Sequence, residues 1–244
     1  MKRIIVIGAS SGIGEGLVRK LTGSESRVAL AARRVERLEK IASDLNGDGI
    51  ERARVYPHDV RQFETIDATF RSMVDFLGGV DCVIVAAGIM PVDLKEQFDL
   101  ETEVDVLNVN TVGSVGWLST AGLYFEAQGR GTLVAIGSVA GDRGRFGFPS
   151  YCASKAAIDT YMEGLRHRFA RLPIRVLTIK PGPIETEMTS AMNATGCAPL
   201  EPSIDRMVRA IMRRDGVIYV PWKWHPIMLI IRHLPWFIFR RMRI

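Results

Sequence analysis

Tyr151 and Lys155 stand four residues apart in the stretch SYCASKAAID at 150–159. On a helix, positions i and i+4 share a face, so the two side chains would lie together. A free phenol has a pKa of about 10, too high for efficient proton exchange near neutrality. A neighbouring ammonium favours the phenolate and lowers that value. The pair therefore predicts a tyrosine tuned to give a proton to a carbonyl oxygen or take one from an alcohol. The spacing alone is a weak signal, because chance pairs of this kind are frequent.

The elements that must position such a pair are legible as an alternation. Short apolar runs at 3–8, 27–32, 53–57, 80–87, 131–138, 174–181 and 217–221 read as strands. Most are continuously apolar, the pattern of strands buried on both faces of a parallel sheet. Helical stretches at 12–22, 34–45, 62–77, 100–128, 154–171 and 203–213 supply the crossovers that parallel strands need. The expectation is one α/β domain over 1–221, a Rossmann-like doubly wound sheet of about seven strands with helices on both faces. A loop over about 185–203 and an appended stretch at 222–244 complete the division.

The first strand runs into IGASSGIGEG, with Gly8, Gly12 and Gly14 spaced G-x3-G-x-G. Glycines there permit a tight turn and let the backbone approach a pyrophosphate. The following helix N-terminus presents free N–H groups to the phosphates. Ser10, Ser11 and Ile13 fill the same loop. The second strand ends in Ala32, where an NAD site would usually carry a carboxylate, and Arg33 and Arg34 follow. Two guanidiniums suit a 2′-phosphate. NADP(H) is therefore preferred, with NAD(H) as the alternative.

Composition sets the bounds. An apolar fraction of 47% in 244 residues is enough for a full core. Cys82, Cys152 and Cys197 are odd in number and far apart, which argues for a reducing compartment rather than a disulfide framework. The N-terminal apolar run is shorter than a secretory h-region, and a cytoplasmic location is expected. Cys152 reads as a packed thiol, His58 as a loop residue and His167 as a helix-surface residue. No cluster of His, Cys or acidic residues has metal-ligand spacing, so no metal is expected.

Taken together, these motifs resemble the short-chain dehydrogenase/reductase family from residue 3 to about 221. The resemblance rests on the glycine loop, Asp59-Val60 after strand three, Ala87-Gly88 after strand four, and NVN ending at Asn110. It continues with Ser138, 13 residues before Tyr151, then Tyr151-x3-Lys155 and PGPIET at 181–186. It implies Tyr151 as general acid and base, with Lys155 lowering its pKa and binding the nicotinamide ribose. Ser138 would hold the substrate oxygen, and Asn110 would maintain a water-linked proton path to Lys155. Asp59 and Val60 would border the adenine, and Ala87 and Gly88 would pass beside the ribose. Pro181, Gly182 and Thr186 would hold the carboxamide. Family members commonly associate into dimers or tetramers through two long helices, here 100–128 and 154–171. Two departures stand out. Ile7 replaces a common Thr, and Val85-Ala86 replace a common Asn pair. An apolar exchange of both partners of a hydrogen-bonded contact can be nearly neutral.

The net charge of +5 lies entirely in residues 216–244, which hold five basic side chains and no acidic one. The remainder has 27 of each sign, which argues against a nucleic-acid reader. Residues 222–244 also hold three of the four tryptophans. Their longest apolar run, Ile227–Ile231, is far below the roughly 20 residues of a membrane span. Such a stretch suits a helix pair at a membrane interface, here the inner face, or packing on the chain's own cleft or a partner subunit. The sequence therefore predicts NADP(H)-dependent interconversion of a small-molecule carbonyl and an alcohol, as a reductase of a hydrophobic substrate. Met188 and Met192 would line its pocket. A small polar metabolite, or a non-catalytic NADPH-binding regulator or scaffold, are the alternatives.

Overall fold

Each strand of the protein alternates its side chains between two faces, and on the inner strands both faces are largely buried. In the computed structural model, which describes residues 2–91, 99–191 and 194–242, seven strands pair in parallel in the order β3-β2-β1-β4-β5-β6-β7. They are β1 Arg3–Ile7, β2 Arg27–Ala32, β3 Ala53–Pro57, β4 Cys82–Val85, β5 Gly131–Ile136, β6 Ile174–Pro181 and β7 Gly216–Val220. Ile5 and Ile7 of β1 face one core with α3 (Ile66–Leu77), α5 (Ser114–Gln128) and α6 (Pro149–Arg168). Ile4 and Val6 face the other, with α1 (Gly12–Leu21), α2 (Val35–Leu45) and α8 (Leu200–Arg213). Two buried faces explain why the strands lack polar alternation.

The strand order reverses direction between β1 and β4, and a doubly wound sheet opens its crevice at that switch point. Ile7 lies opposite Val85 there, and both are buried. The two departures noted in the sequence thus meet each other as an apolar pair across β1 and β4. The long helical stretch 100–128 is divided: α4 (Leu100–Leu107) passes through a π-helical turn at Asn108–Gly113 into α5. The helix expected at 154–171 begins earlier, at Pro149, whose fixed φ suits the first turn. Tyr151 is therefore helical, as the i, i+4 argument requires. The expected loop at 185–203 holds the short α7 (Glu187–Ala191) and the start of α8. Met192 and Arg243 lie outside the described residues.

The stretch from 222 forms two helices, α9 (Trp224–His233) and α10 (Trp236–Phe239). Trp224 packs so closely on Gly182 that a Cβ there would fall 2.0 Å from the indole nitrogen. Met228 and Phe239 are buried. Arg143 donates to the carbonyl oxygens of Ile231 and Leu234, and its guanidinium lies 3.8 Å from the Phe239 ring centre. The stretch is docked on the domain rather than merely appended. No described helix is long and apolar enough to cross a membrane.

Candidate active site

The cleft above the β1–β4 switch point has a volume of about 630 Å³. One end is the glycine loop. Gly8 has φ +86°, and a Cβ there would fall 2.5 Å from the Ala87 nitrogen. A Cβ at Gly14 would fall 2.1 Å from the Gly8 oxygen. The loop and the end of β4 can approach only without side chains at these two positions. Gly12 opens α1, and Thr186 from beyond β6 sits across the cleft from it. Such a loop could hold a dinucleotide pyrophosphate, and the residues present fit that group.

Ser10, Ser11, Ile13, Arg33 and Arg34 line the same end. Arg34 donates to Ser10 Oγ at 3.2 Å and also to Ser11 Oγ. Glu187 of α7 bridges Arg34 and Arg37, tying the segment after β6 to the start of α2. The Arg33 side chain is exposed and makes no hydrogen bond or ion pair among the described residues, though its charge helps lower the Asp59 pKa. Neither Arg37 nor Glu187 stood out in the sequence, because the segments meet only in three dimensions.

Val60, Ala87 and Gly88 line the middle of the cleft, but Asp59 does not. Its carboxylate is turned to Arg61 at 2.6 Å, and that pairing lowers its pKa. His58 lines the cleft instead. It is buried edge-on against Trp117, and burial lowers its pKa. His58 lies in the loop after β3, as the sequence reading has it, and the Trp117 contact buries it there.

At the other end Ser138, Tyr151 and Lys155 converge, all buried. Ser138 caps a 3-10 turn after β5 by accepting from the Ala140 N–H, and its side chain acts on Tyr151 so as to favour the phenolate. Lys155 donates to the Ile136 oxygen at 3.0 Å, with its Nζ 5.8 Å from the Tyr151 ring centre. The expected lowering of Tyr151 by Lys155 is not found here. Burial pushes the phenol up, while the Ser138 side chain and the Arg145 charge oppose it. Burial also lowers Lys155 to about 8, with the Asp159 carboxylate raising it.

Asn110 lies beneath the cleft in the π-helical turn, a distortion that often marks functional sites. It exchanges two hydrogen bonds with the Ile89 main chain and donates to Ser154 Oγ at 3.1 Å. A Cβ on Gly88 would fall 3.4 Å from both Asn110 Oδ1 and Lys155 Nζ, so the Gly88 backbone caps the pair. Pro181 and Gly182 line the cleft beside these groups. Ile89, Met90, Val139, Ala140, Ile184 and Met188 make this end apolar. Arg145, which the sequence reading passed over, also lines it. Cys152 is buried and its thiol pKa is raised by that burial, so it packs. His167 is exposed on α6.

One further buried cluster stands behind Lys155. Lys180 of β6 donates to Asp142 at 2.6 Å and pairs with Asp159 at 2.8 Å. Asp142 also accepts from the Tyr219 hydroxyl. The Asp159 carboxylate makes no directed hydrogen bond and rests on the ion pair. Burial raises it to about 6, against the lysine charges.

A parallel sheet with a glycine cradle and an apolar, tyrosine-bearing end defines a dinucleotide-dependent oxidoreductase fold. The profile of the family described as short chain dehydrogenase matches residues 2–196, and the chain belongs to that family, whose members bind NAD(P). An uncharacterized oxidoreductase of Mycobacterium tuberculosis is 34% identical over 245 residues, covering 96% of this chain and 94% of that protein. A dehydrogenase/reductase from Sinorhizobium meliloti has a TM-score of 0.77 at 26% identity, covering 89% of this chain and 92% of its own. An alcohol dehydrogenase from Thermococcus sibiricus, solved with 5-hydroxy-NADP, has a TM-score of 0.80 at 24% identity, covering 90% and 95%.

Proposed function

We propose that this chain is an NADP(H)-dependent reductase that converts a hydrophobic ketone or aldehyde to its alcohol. The observation that carries the reading is the convergence of Ser138, Tyr151 and Lys155 at the apolar end of a cleft whose other end is cradled by glycines. The bound nicotinamide would supply the hydride. Ser138 and the Tyr151 hydroxyl would hold the carbonyl oxygen between them, fixing it for attack. Tyr151 would give its proton to that oxygen as negative charge develops there. The upward shift makes Tyr151 a weaker acid than a free phenol, so donation depends on the negative charge that develops on the carbonyl oxygen. The Lys155 ammonium would bond the nicotinamide ribose and hold the cofactor toward Tyr151. The exposed Arg33 guanidinium would meet the 2′-phosphate.

The test is NADPH oxidation with carbonyl substrates of increasing chain length, NADH in parallel, and Tyr151→Phe as control. Turnover should rise with chain length, prefer NADPH, and fall by about 10²–10⁴ in Tyr151→Phe with NADPH binding kept. Binding without turnover on any carbonyl would instead favour a nucleotide-sensing role.

Arg145 favours a second reading. A guanidinium beside Tyr151 suits a small carbonyl acid. On that reading Arg145→Ala should raise KM for a keto acid by about tenfold to a hundredfold, with no such change for a neutral ketone. For assembly, α5 and α6 support a homodimer or homotetramer. Leu123 is exposed on α5, and a shallow groove on α6 is floored by Ala157, Thr160 and Gly164. Light scattering reads the state directly.

A further inference from the structure

Helix α9 is apolar on opposite faces. Trp224, Met228 and Ile231 follow the i, i+4, i+7 stripe of a packed face; Trp224 and Met228 pack on the domain, and His225 lies against Tyr219 of β7. Leu229 and Ile230 on the outer side are nonetheless 55% and 65% exposed. In α10 only Phe239 turns inward, leaving Trp236 68% and Phe237 61% exposed. A soluble helix that had already buried one face would carry polar residues on the other. Around these apolar residues stand Lys223, Arg232, Arg240 and Arg241, all exposed. The last acidic residue in the sequence is Asp215.

We infer that this outer face of α9 and α10 is a docking surface for an anionic lipid membrane, lying in the interface rather than crossing it. Exposed tryptophan, phenylalanine and aliphatic side chains enter the headgroup boundary, while arginines and lysines meet anionic headgroups. Charge decides against a second copy of the chain. A two-fold contact sets the same patch against itself, and would oppose these cations with no acidic residue in the segment to neutralise them. An anionic surface neutralises them at once. The docked face does not stand apart from the cleft. Trp224 forms the outer support of Gly182, and Arg143 joins the end of α9 to the turn that follows Ser138. Membrane docking therefore holds the substrate end of the cleft beside the lipid.

The experiment is co-sedimentation of the full chain with vesicles of pure phosphatidylcholine, and with vesicles containing about a third phosphatidylglycerol. Its readout needs no turnover, so it stands or falls separately from the catalytic reading. The chain should partition onto the anionic vesicles and only weakly onto the neutral ones. The combined variant Leu229→Ser, Ile230→Ser, Trp236→Ser, Phe237→Ser should bind on the order of 100-fold more weakly. Arg240→Glu with Arg241→Glu should abolish the preference for the anionic vesicles. All six side chains are exposed, and an unchanged thermal midpoint checks that the variants fold. Failure of the wild-type chain to bind either vesicle overturns the proposal. So does equal binding by the serine variant, or a serine variant of smaller oligomeric state, which would make the face a subunit contact.

Discussion

Tyr151 keeps its proton through neutral pH because burial outweighs the Ser138 side chain and the Arg145 charge. Lys155 is the group that changes charge in the accessible range. Burial lowers it to about 8, so its ammonium is present below that value and lost as pH rises through it. Reduction that relies on this ammonium should run on a plateau at neutral pH and decline with an apparent pKa of about 8. Asp159, one turn further along α6, is the carboxylate that raises Lys155. Removing its charge in Asp159→Asn lowers Lys155 further, so the alkaline limb should move to lower pH. Rate profiles of the two proteins under saturating cofactor read this directly. An unmoved limb would show that Asp159 does not act on the titrating group. The Tyr151–Lys155 spacing was legible in the sequence because one helical turn joins the two residues. The direction of the Tyr151 shift was not, since it depends on burial that only the packed molecule supplies.

The catalytic end depends on three elements held by one buried cation. Asp142 closes the turn after Ser138, Lys180 ends β6, and Asp159 sits on α6 below Lys155. Burial works against the Lys180 ammonium, yet Asp159 and Asp142 outweigh it and its pKa is raised. Lys180→Met would leave two buried carboxylates without their partner. Breaking a buried ion pair in this way costs about 3–5 kcal/mol at neutral pH. The sign with pH is definite. Burial already raises the Asp159 carboxyl and loss of the ammonium raises it further, so the penalty is full above its folded pKa and is relieved as pH falls through it. Urea midpoints of Lys180→Met should thus lie closer to wild type at pH about 5 than at pH about 7. A deficit that stays constant or grows toward acid would exclude this account. The strands and crossovers could be read from apolar runs, because the inner strands β1, β2, β4, β5 and β6 are buried on both faces. The cluster could not, since Asp142 and Lys180 are 38 residues apart and only the sheet brings them together. The π-helical turn at Asn110 was equally hidden, its residues giving an uninterrupted helical pattern.

Across the whole molecule, the segment from 222 is fastened to the catalytic domain at few points, and Arg143 is the one that reaches both of its helices. Its guanidinium meets carbonyl oxygens at the end of α9 and stacks on Phe239 of α10. The last carbonyls of a helix have no intrahelical donor, so the half-buried Arg143 cation satisfies groups the helix itself leaves unpaired. Hydrogen bonds to a charged group contribute about 1.5–3 kcal/mol. Loss of about 2 kcal/mol corresponds to roughly a 30-fold rise in local opening. Arg143→Ala should therefore open α9 and α10 without unfolding the sheet, whose two cores lie elsewhere. Limited trypsin digestion should cut after Arg232 and Arg240 about 30-fold faster, and the main thermal transition should stay within a few degrees of wild type. The same opening frees Trp224 from Gly182, so NADPH affinity should fall while Ser138 and Tyr151 remain in place. If the variant instead lost the whole fold at once, the segment would be part of the domain's cooperative core. Its outer apolar face would then be presented by a rigid body rather than by a separable lid.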